Sequence, residues 1–441
     1  MRIPLLMGLA VMTLSVTTSA QQDQNYTPCA HDHWLHHIRQ HKPEKAAAID
    51  EFYRYAVQKS QTSQRDDEVY TVPVVFHVVY NNAEQNLHDS VIHSQIEVLN
   101  EDYRRMNADA DLTRDIFLPV AGDVGIEFQL AEVDPSGNPT DGIVRVETNR
   151  AGFSLDLFGA ENTLDEVKFA ATGGSDAWDT EHYLNIWVCN IEGGLFGQIF
   201  GLAYPPDGVP NWPDGAAEPS PDVSGVIVHF TTVGRNNPSA DLDGVPYNNL
   251  GRTCTHEVGH YFGLRHTWGD ALPLFGDGCA EDDGLDDTPN CFGPDNQACN
   301  YSANTCPEDP LPDMIENYMD YSRDNCMNIF TQQQVEIMRL ALTEFRPGLI
   351  ASPALSVREN PLDHTLKMYP NPAKEWLVIE QIGDIPVQRV EVYDALGRLI
   401  NDHDRINLTR VELPLGALAP GNYLVRIHAG EHFTTRSLMK Y

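Results

Sequence analysis

The chain has 441 residues, 41% of them hydrophobic, and a formal net charge of -35. That length exceeds what a single core usually organises and fits two or three domains. So acidic a surface repels phosphate backbones and anionic lipid heads, which argues against nucleic-acid binding and electrostatic attachment to membranes. Acidic excess also suits an exported protein that holds calcium through carboxylates.

The first element is a signal peptide over residues 1–20. Arg2 supplies the positive charge, Leu5 and the residues to Val16 the apolar run, and Thr18-Ser19-Ala20 the small-residue cleavage site. The run is too short to span a bilayer and no later segment is long enough, so an exported chain without a transmembrane segment is expected. Residues 21–65 are polar and rich in histidine. They contain Cys29-Ala30-His31-Asp32, then one expected helix over 34–55, and run into a soluble, cleavable tract at 60–67.

A folded domain is expected over 66–347. Residues 71–80 are dense in Val and aromatics and read as a buried strand. Ser94 with Glu97 forms a capping-box pattern that opens a helix with Ile96, Leu99 and Tyr103 on one face. Further strands are expected at 124–130, 143–148, 184–191 and 226–231. A helix carrying His256 follows, then a Gly/Asp/Pro/Cys-rich loop over 269–312. Thr331 caps a last helix that runs to Phe345 and is stopped by Pro347. Strands first and a site-bearing helix after them predict an α+β domain. Residues 348–363 read as a linker. Over 364–441 short alternating strands (376–380, 390–393, 423–427) are separated by turn residues, the pattern of a small all-β sandwich.

The chemistry is concentrated in His256-Glu257-Val258-Gly259-His260, followed by Gly263 and His266. Two histidines four apart lie one turn apart on the same helix face and can share one zinc ion. Glu257 flanks that face, where it reaches a water on the metal and serves as general base. Gly263 can adopt a left-handed conformation, end the helix and return the chain to deliver His266. Three neutral imidazoles leave a fourth position for water, the layout of a catalytic site. Downstream lies Asn317-Tyr318-Met319-Asp320-Tyr321-Ser322, which resembles the Met-turn of metzincin proteases and so implies that Met319 forms an apolar floor beneath the histidines.

Together with Gly263-Leu264-Arg265-His266-Thr267, Asp287-Thr288-Pro289 and the segment Leu184-Asn185-Ile186-Trp187-Val188, these motifs resemble the pappalysin family of metzincin proteases, in its bacterial ulilysin-like branch. The resemblance covers about residues 70–346 and implies a zinc metalloendopeptidase that is made as a zymogen and acts on proteins or peptides. It implies that Tyr321 stabilises the oxyanion and that Asp324 lines a primed-side pocket favouring arginine, although Arg323 beside it could neutralise the carboxylate. Gly193-Gly194-Leu195-Phe196-Gly197 would form the rim that aligns an extended substrate by β-addition. The loop from Asp282 to Thr288 resembles a structural calcium site, with Asp283 and Thr288 the best-matched ligands.

Eight cysteines suit an exported protein with disulfides. The resemblance implies Cys279–Cys306 and Cys299–Cys326. Cys254 and Cys291 are left for a third bond, and Cys189 is expected as a buried thiol. Cys29 is read as a pro-segment cysteine whose thiolate occupies the zinc and keeps the enzyme latent. Ala30 stands where the family has Gly. Nearby His31, His33, His36 and His37 are alternatives, as solvated helix residues or as ligands. The tail resembles a second family, the C-terminal sorting domain of the type IX secretion system, through Met368-Tyr369-Pro370-Asn371-Pro372, Val392-Tyr393-Asp394-Ala395-Leu396-Gly397-Arg398 and Leu418-Ala419-Pro420-Gly421-Asn422-Tyr423. The type IX machinery is thus an expected partner, and release from the cell or attachment to its outer surface the expected location. An inactive adhesin of this fold would lack Glu257 or a ligand, and an exopeptidase would need a motif for the substrate terminus. The sequence shows neither feature.

Overall fold

The chain is described by a computed structural model over residues 26–62, 68–155, 163–192, 198–208, 223–240, 248–269, 278–294, 299–351, 362, 365–382, 385–394, 397–404, 406–430 and 432–441. The expected signal peptide, the glycine-rich rim at 193–197, the end of the cleavable tract and most of the linker lie outside those residues.

A short strand, β1 (Tyr26–Cys29), is followed by two helices, α1 (His31–His41) and α2 (Pro43–Ser60). One helix is expected here, and Pro43 divides it. The ring disfavours helical geometry at Lys42, which sits at φ -136°, ψ 63°, and then starts α2 at its first position, where no amide proton is needed. The next strand, β2 (Tyr70–Tyr80), has Val72, Val74, Val75, Phe76, Val78 and Val79 all buried, so both its faces are covered and it lies inside the sheet.

Helix α3 (Asp89–Tyr103) begins one turn and more before the expected start. His88 caps it by accepting from the Ser90 amide at 3.2 Å. Ser94 lies inside the helix, with its hydroxyl donating to the Val91 carbonyl and accepting from the Arg235 amide. The buried stripe Val91, Ile92, Val98, Leu99 and Tyr103 reaches back to that earlier start, and tertiary burial of the first turn outweighs the local capping pattern.

Strands β3 (Ala121–Gly122), β4 (Ile126–Leu130), β5 (Ile143–Glu147), β6 (Leu184–Cys189), β7 (Gln198–Ala203) and β8 (Val226–His229) follow. The main sheet has the order β1-β7-β8-β6-β2-β4, with β5 also paired to β2. All its pairings are parallel except β7 with β8. Helix α4 (Arg252–Tyr261) packs on β7, β8 and α3, beside the edge that β1 closes.

After a short helix α5 (Gly278–Glu281) and β9 (Phe330–Thr331), which pairs with β3, Thr331 and Gln334 form a reciprocal capping box that opens α6 (Gln332–Leu340). The helix continues as a π-turn to Phe345, and Pro347 opens a further turn, α7 (Pro347–Ile350), rather than ending the structure.

The tail contains β10 (Leu366–Tyr369), β11 (Trp376–Gln381), β12 (Val387–Asp394), β13 (Leu399–His403), β14 (Arg410–Pro414), β15 (Gly421–Ala429) and β16 (His432–Lys440). They form antiparallel sheets of order β10-β11-β14 and β13-β12-β15-β16 over a core that includes Leu377, Ile379, Val390, Val392, Val425 and Ile427. An α+β domain followed by an all-β sandwich is the expected fold class.

Candidate metal centre and active site

Every residue of α4 is buried, including His256, Glu257 and His260. Gly263 takes φ +87° just past the helix, and the chain turns back to place His266 beside the first two histidines. The His260 Nε2 atom lies 3.1 Å from Nε2 of His256 and 3.1 Å from Nε2 of His266. His256 Nδ1 donates to the Tyr318 carbonyl at 2.7 Å, and His260 Nδ1 donates to the Leu264 carbonyl at 2.8 Å. Carbonyls only accept, so the protons sit on Nδ1 and the inward Nε2 atoms carry lone pairs. Lone pairs this close repel unless a cation lies between them. Nitrogens about 2.0–2.1 Å from a tetrahedral zinc would stand about 3.3 Å apart, close to the spacing observed. Burial holds His256 and His260 well below the usual imidazole range, which keeps them neutral, as ligands must be.

A fourth donor completes the cluster. Cys29 Sγ and one nitrogen of each histidine all lie within 4.8 Å of one another. Burial first, and then the Glu257 carboxylate, push the Cys29 thiol well up, so a thiolate there calls for a cation in the cluster. Ala30 takes φ -95°, which any residue adopts, so the glycine of the family is not needed at this position. The neighbouring histidines are not among the cluster's ligands. His31 is buried and stacks on His260 with ring centroids 4.1 Å apart, His37 is buried against His41, and His36 is exposed.

Glu257 is buried, with its carboxylate beside the Cys29 thiol. Burial raises its pKa well above the usual range, which suits a group that must take and return a proton. Gly201 of β7 makes room for it, since a Cβ there would lie 2.3 Å from Glu257 Oε1. Met319 is fully buried against α4, where a Cβ on Gly259 would meet its sulfur at 2.6 Å. The Tyr321 ring packs against His256 and His266, and its hydroxyl donates to the Cys29 carbonyl at 2.9 Å. Strand β1 runs parallel to β7 with Cys29 opposite Gly201 and covers the site edge-on.

Asp324 is buried, and its Oδ2 accepts from the Leu250 amide at 2.8 Å. Its Oδ1 has no partner, and the residue lines a recess of about 20 Å³ with His256, Glu257, Ser322 and Met327. The nearby guanidinium that binds its main chain is that of Arg252, at 2.6 Å, and burial still raises the carboxyl to about 6.

Asp283 is buried, with Oδ1 accepting from Thr288 Oγ1 at 2.7 Å and from the Leu285 amide at 3.1 Å. Asp283 Oδ2 and Asp287 Oδ1 are buried without partners, and burial raises the Asp283 carboxyl to about 8. Orphaned buried carboxylate oxygens beside a glycine turn at φ +81° (Gly284) fit a hard cation.

Disulfides join Cys279 to Cys306 and Cys299 to Cys326. The expected third bond is absent: Cys254 and Cys291 are free thiols. Cys254 faces the main core from α4, whereas Cys291 packs with Trp268 and Tyr321 in a separate cluster, so the two sulfurs face different interiors. Cys189 is a buried free thiol, as expected.

Sequence reasoning gave no role to Gly201, Asp102 or Asp32. Asp102 is a buried carboxylate that accepts from Tyr318 Oη and Thr255 Oγ1, each at 2.8 Å, and so ties α3 to the turn whose carbonyl orients His256. Asp32 accepts from His266 Nδ1 at 2.7 Å. The one legible signal was that Asp32 stands three residues after Cys29.

Comparison with known proteins points to an extracellular metalloprotease. Residues 236–343 match the family described as pregnancy-associated plasma protein-A, and residues 367–441 match the secretion system C-terminal sorting domain. An extracellular metalloprotease of Arthroderma benhamiae is 30% identical over 281 residues, covering 63% of this chain and 74% of that protein. One from Colletotrichum graminicola is 31% identical, covering 63% of this chain and 77% of that protein. Among solved structures, a mutant of promirolysin from Tannerella forsythia is 37% identical with a TM-score of 0.62, covering 74% of this chain and 97% of its own. Mature mirolysin from the same organism, in complex with a cleaved peptide, is 41% identical with a TM-score of 0.55, covering 64% of this chain and 96% of its own.

Proposed function

This chain belongs to the pregnancy-associated plasma protein-A (pappalysin) family of metalloproteases and is secreted or attached to the cell surface through a type IX sorting tail, and from that premise we propose that it is a zinc endopeptidase made as a latent precursor. The observation that carries the reading is the convergence of three inward imidazole lone pairs beside the buried carboxylate of Glu257. His256, His260 and His266 would hold the zinc, which when bound supplies a Lewis acid that acidifies water and polarises a peptide carbonyl. Glu257 takes a proton from the attacking water and returns it to the leaving amine. Tyr321, once its hydroxyl is released from the Cys29 carbonyl, donates to the oxyanion. Met319 keeps the floor dry and rigid.

Residues 1–20 serve as the signal, 21–65 as the pro-segment, 66–347 as the protease and 364–441 as the domain read by the type IX machinery, joined through the linker 348–363. Latency follows from Cys29 filling the position that water needs and from β1 covering the edge of β7. Promirolysin aligns over more of this chain than mature mirolysin does, which supports assigning the N-terminal segment to a precursor. Asp283, Asp287 and Thr288 form a calcium loop, and Asp324 selects a basic residue after the scissile bond.

The test is peptide cleavage by processed protein with zinc quantified, beside Glu257→Ala. Wild type is expected to hold about one zinc per chain and cut internal bonds, and Glu257→Ala to hold zinc and cut nothing. Zinc-loaded, processed wild type that cleaves nothing in a diverse peptide library would overturn the reading.

A further inference from the structure

We infer that Asp32 is a positioning residue of the metal site: a carboxylate on the N-terminal segment that orients His266 and tightens metal retention only while that segment is attached. The inference rests on the latency reading of Cys29 and extends it to the outer sphere of the metal. Each imidazole turns Nε2 inward and Nδ1 outward. His256 and His260 donate to the carbonyls of Tyr318 and Leu264, both within the protease domain. His266 donates instead to Asp32 Oδ1 at 2.7 Å, from the first turn of α1. Asp32 is 3% exposed, and its Oδ2 accepts from Trp268 Nε1 at 3.1 Å. The Trp268 ring in turn stacks on His266, with centroids 4.4 Å apart and planes within 8°.

Two ligands therefore keep these outer partners when the N-terminal segment is removed, and the third loses its carboxylate. A carboxylate behind a metal-bound imidazole fixes the ring and raises its basicity, and such partners are worth about 10–100-fold in metal affinity. Cys29 and Asp32 thus grip the same centre, one at the metal position and one behind a ligand, with His31 between them stacked on His260. Asparagine is the sharp probe. Two N–H donors converge on the two oxygens of Asp32, and an amide of the same shape offers only one acceptor.

The experiment uses zinc-loaded full-length precursors (wild type, Asp32→Asn and Cys29→Ser) titrated with a chelator while retained zinc is measured. Near-UV circular dichroism checks their folding. Asp32→Asn should release zinc at about 10–100-fold lower chelator concentration than wild type. The mature polypeptides obtained from the two precursors are the same chain and should cleave equally. Should Asp32→Asn fail to fold, Trp268→Phe carries the test, since it keeps the ring stack, removes one donor and should shift release several-fold in the same direction. Coincident release curves for Asp32→Asn and wild type, with Cys29→Ser shifted, would overturn the role of Asp32 and leave Cys29 latency standing. A wild-type precursor that cleaves peptides unprocessed, with all three curves coincident, would overturn both.

Discussion

Gly201→Ala is a small change with a large expected consequence. The added Cβ would lie 2.3 Å from Glu257 Oε1, 2.5 Å from its Cγ and 2.6 Å from its Cδ, where ordinary contact begins near 3.4 Å. β7 is held by β8 on one side, and α4 is packed against both strands, so the carboxylate must yield by about 1 Å. A displacement of that size in a proton-transfer group costs about 100-fold in rate, or about 2.7 kcal/mol. The methyl does not approach the histidines closely enough to appear among its nearest contacts. Zinc content should therefore stay at the wild-type level while kcat falls about 100-fold with KM little changed. The assay is steady-state cleavage of a fluorogenic peptide by processed Gly201→Ala protein, with zinc measured on the same sample. Wild-type kcat in a zinc-replete variant would refute the placement of Glu257 as general base against β7.

The acid side of the stability profile should carry the mark of His77, which is buried between Ser175 Oγ and Asn185 Oδ1 and held by burial at about 4, down from 6.5. The unfolded chain takes up this proton first, so the stability is present above 6.5 and lost as pH falls towards 4, at about 1.4 kcal/mol per unit and about 3 kcal/mol in all. Denaturant unfolding of His77→Gln should show a correspondingly shallower loss between neutral pH and about pH 4, and parallel profiles would contradict this account. At Asp283 the sign is opposite: a carboxyl raised to about 8 from 3.8 favours the folded state at low pH, and that contribution is lost as pH rises from about 3.8 to about 8. Added calcium should therefore raise Tm more at about pH 8 than at about pH 5; at 100 times its Kd the stabilisation itself is about 2.7 kcal/mol, and Asp283→Asn should abolish it. Asp324→Asn should lower kcat/KM for peptides with arginine after the scissile bond by about 10–100-fold, as a charged hydrogen bond is worth about 1.5–3 kcal/mol, and leave neutral peptides unchanged. Because burial raises Asp324 to about 6, the arginine preference of wild type should fade below that pH.

What the residues declare by themselves is local: helical spacing puts His256 and His260 on one face, Gly263 takes the left-handed turn that returns His266, and Thr331 starts α6. Strand positions such as β2 and β6 were legible for the same reason, since runs of Val, Ile and aromatics bury wherever they fall. The early start of α3 was not legible, because burial of Val91 and Ile92 against other elements decided it over the Ser94–Glu97 pattern. Nor was the thiol state of Cys254 and Cys291, which depends on which interior each side chain faces. The pairing of Asp32 with His266, 234 residues later in the chain, and the fit of Gly201 against Glu257 belong to tertiary structure alone. Chain order encodes spacing along one element, whereas contacts between elements arise only when separate buried faces are packed together, and on those contacts the orientation of the metal ligands depends.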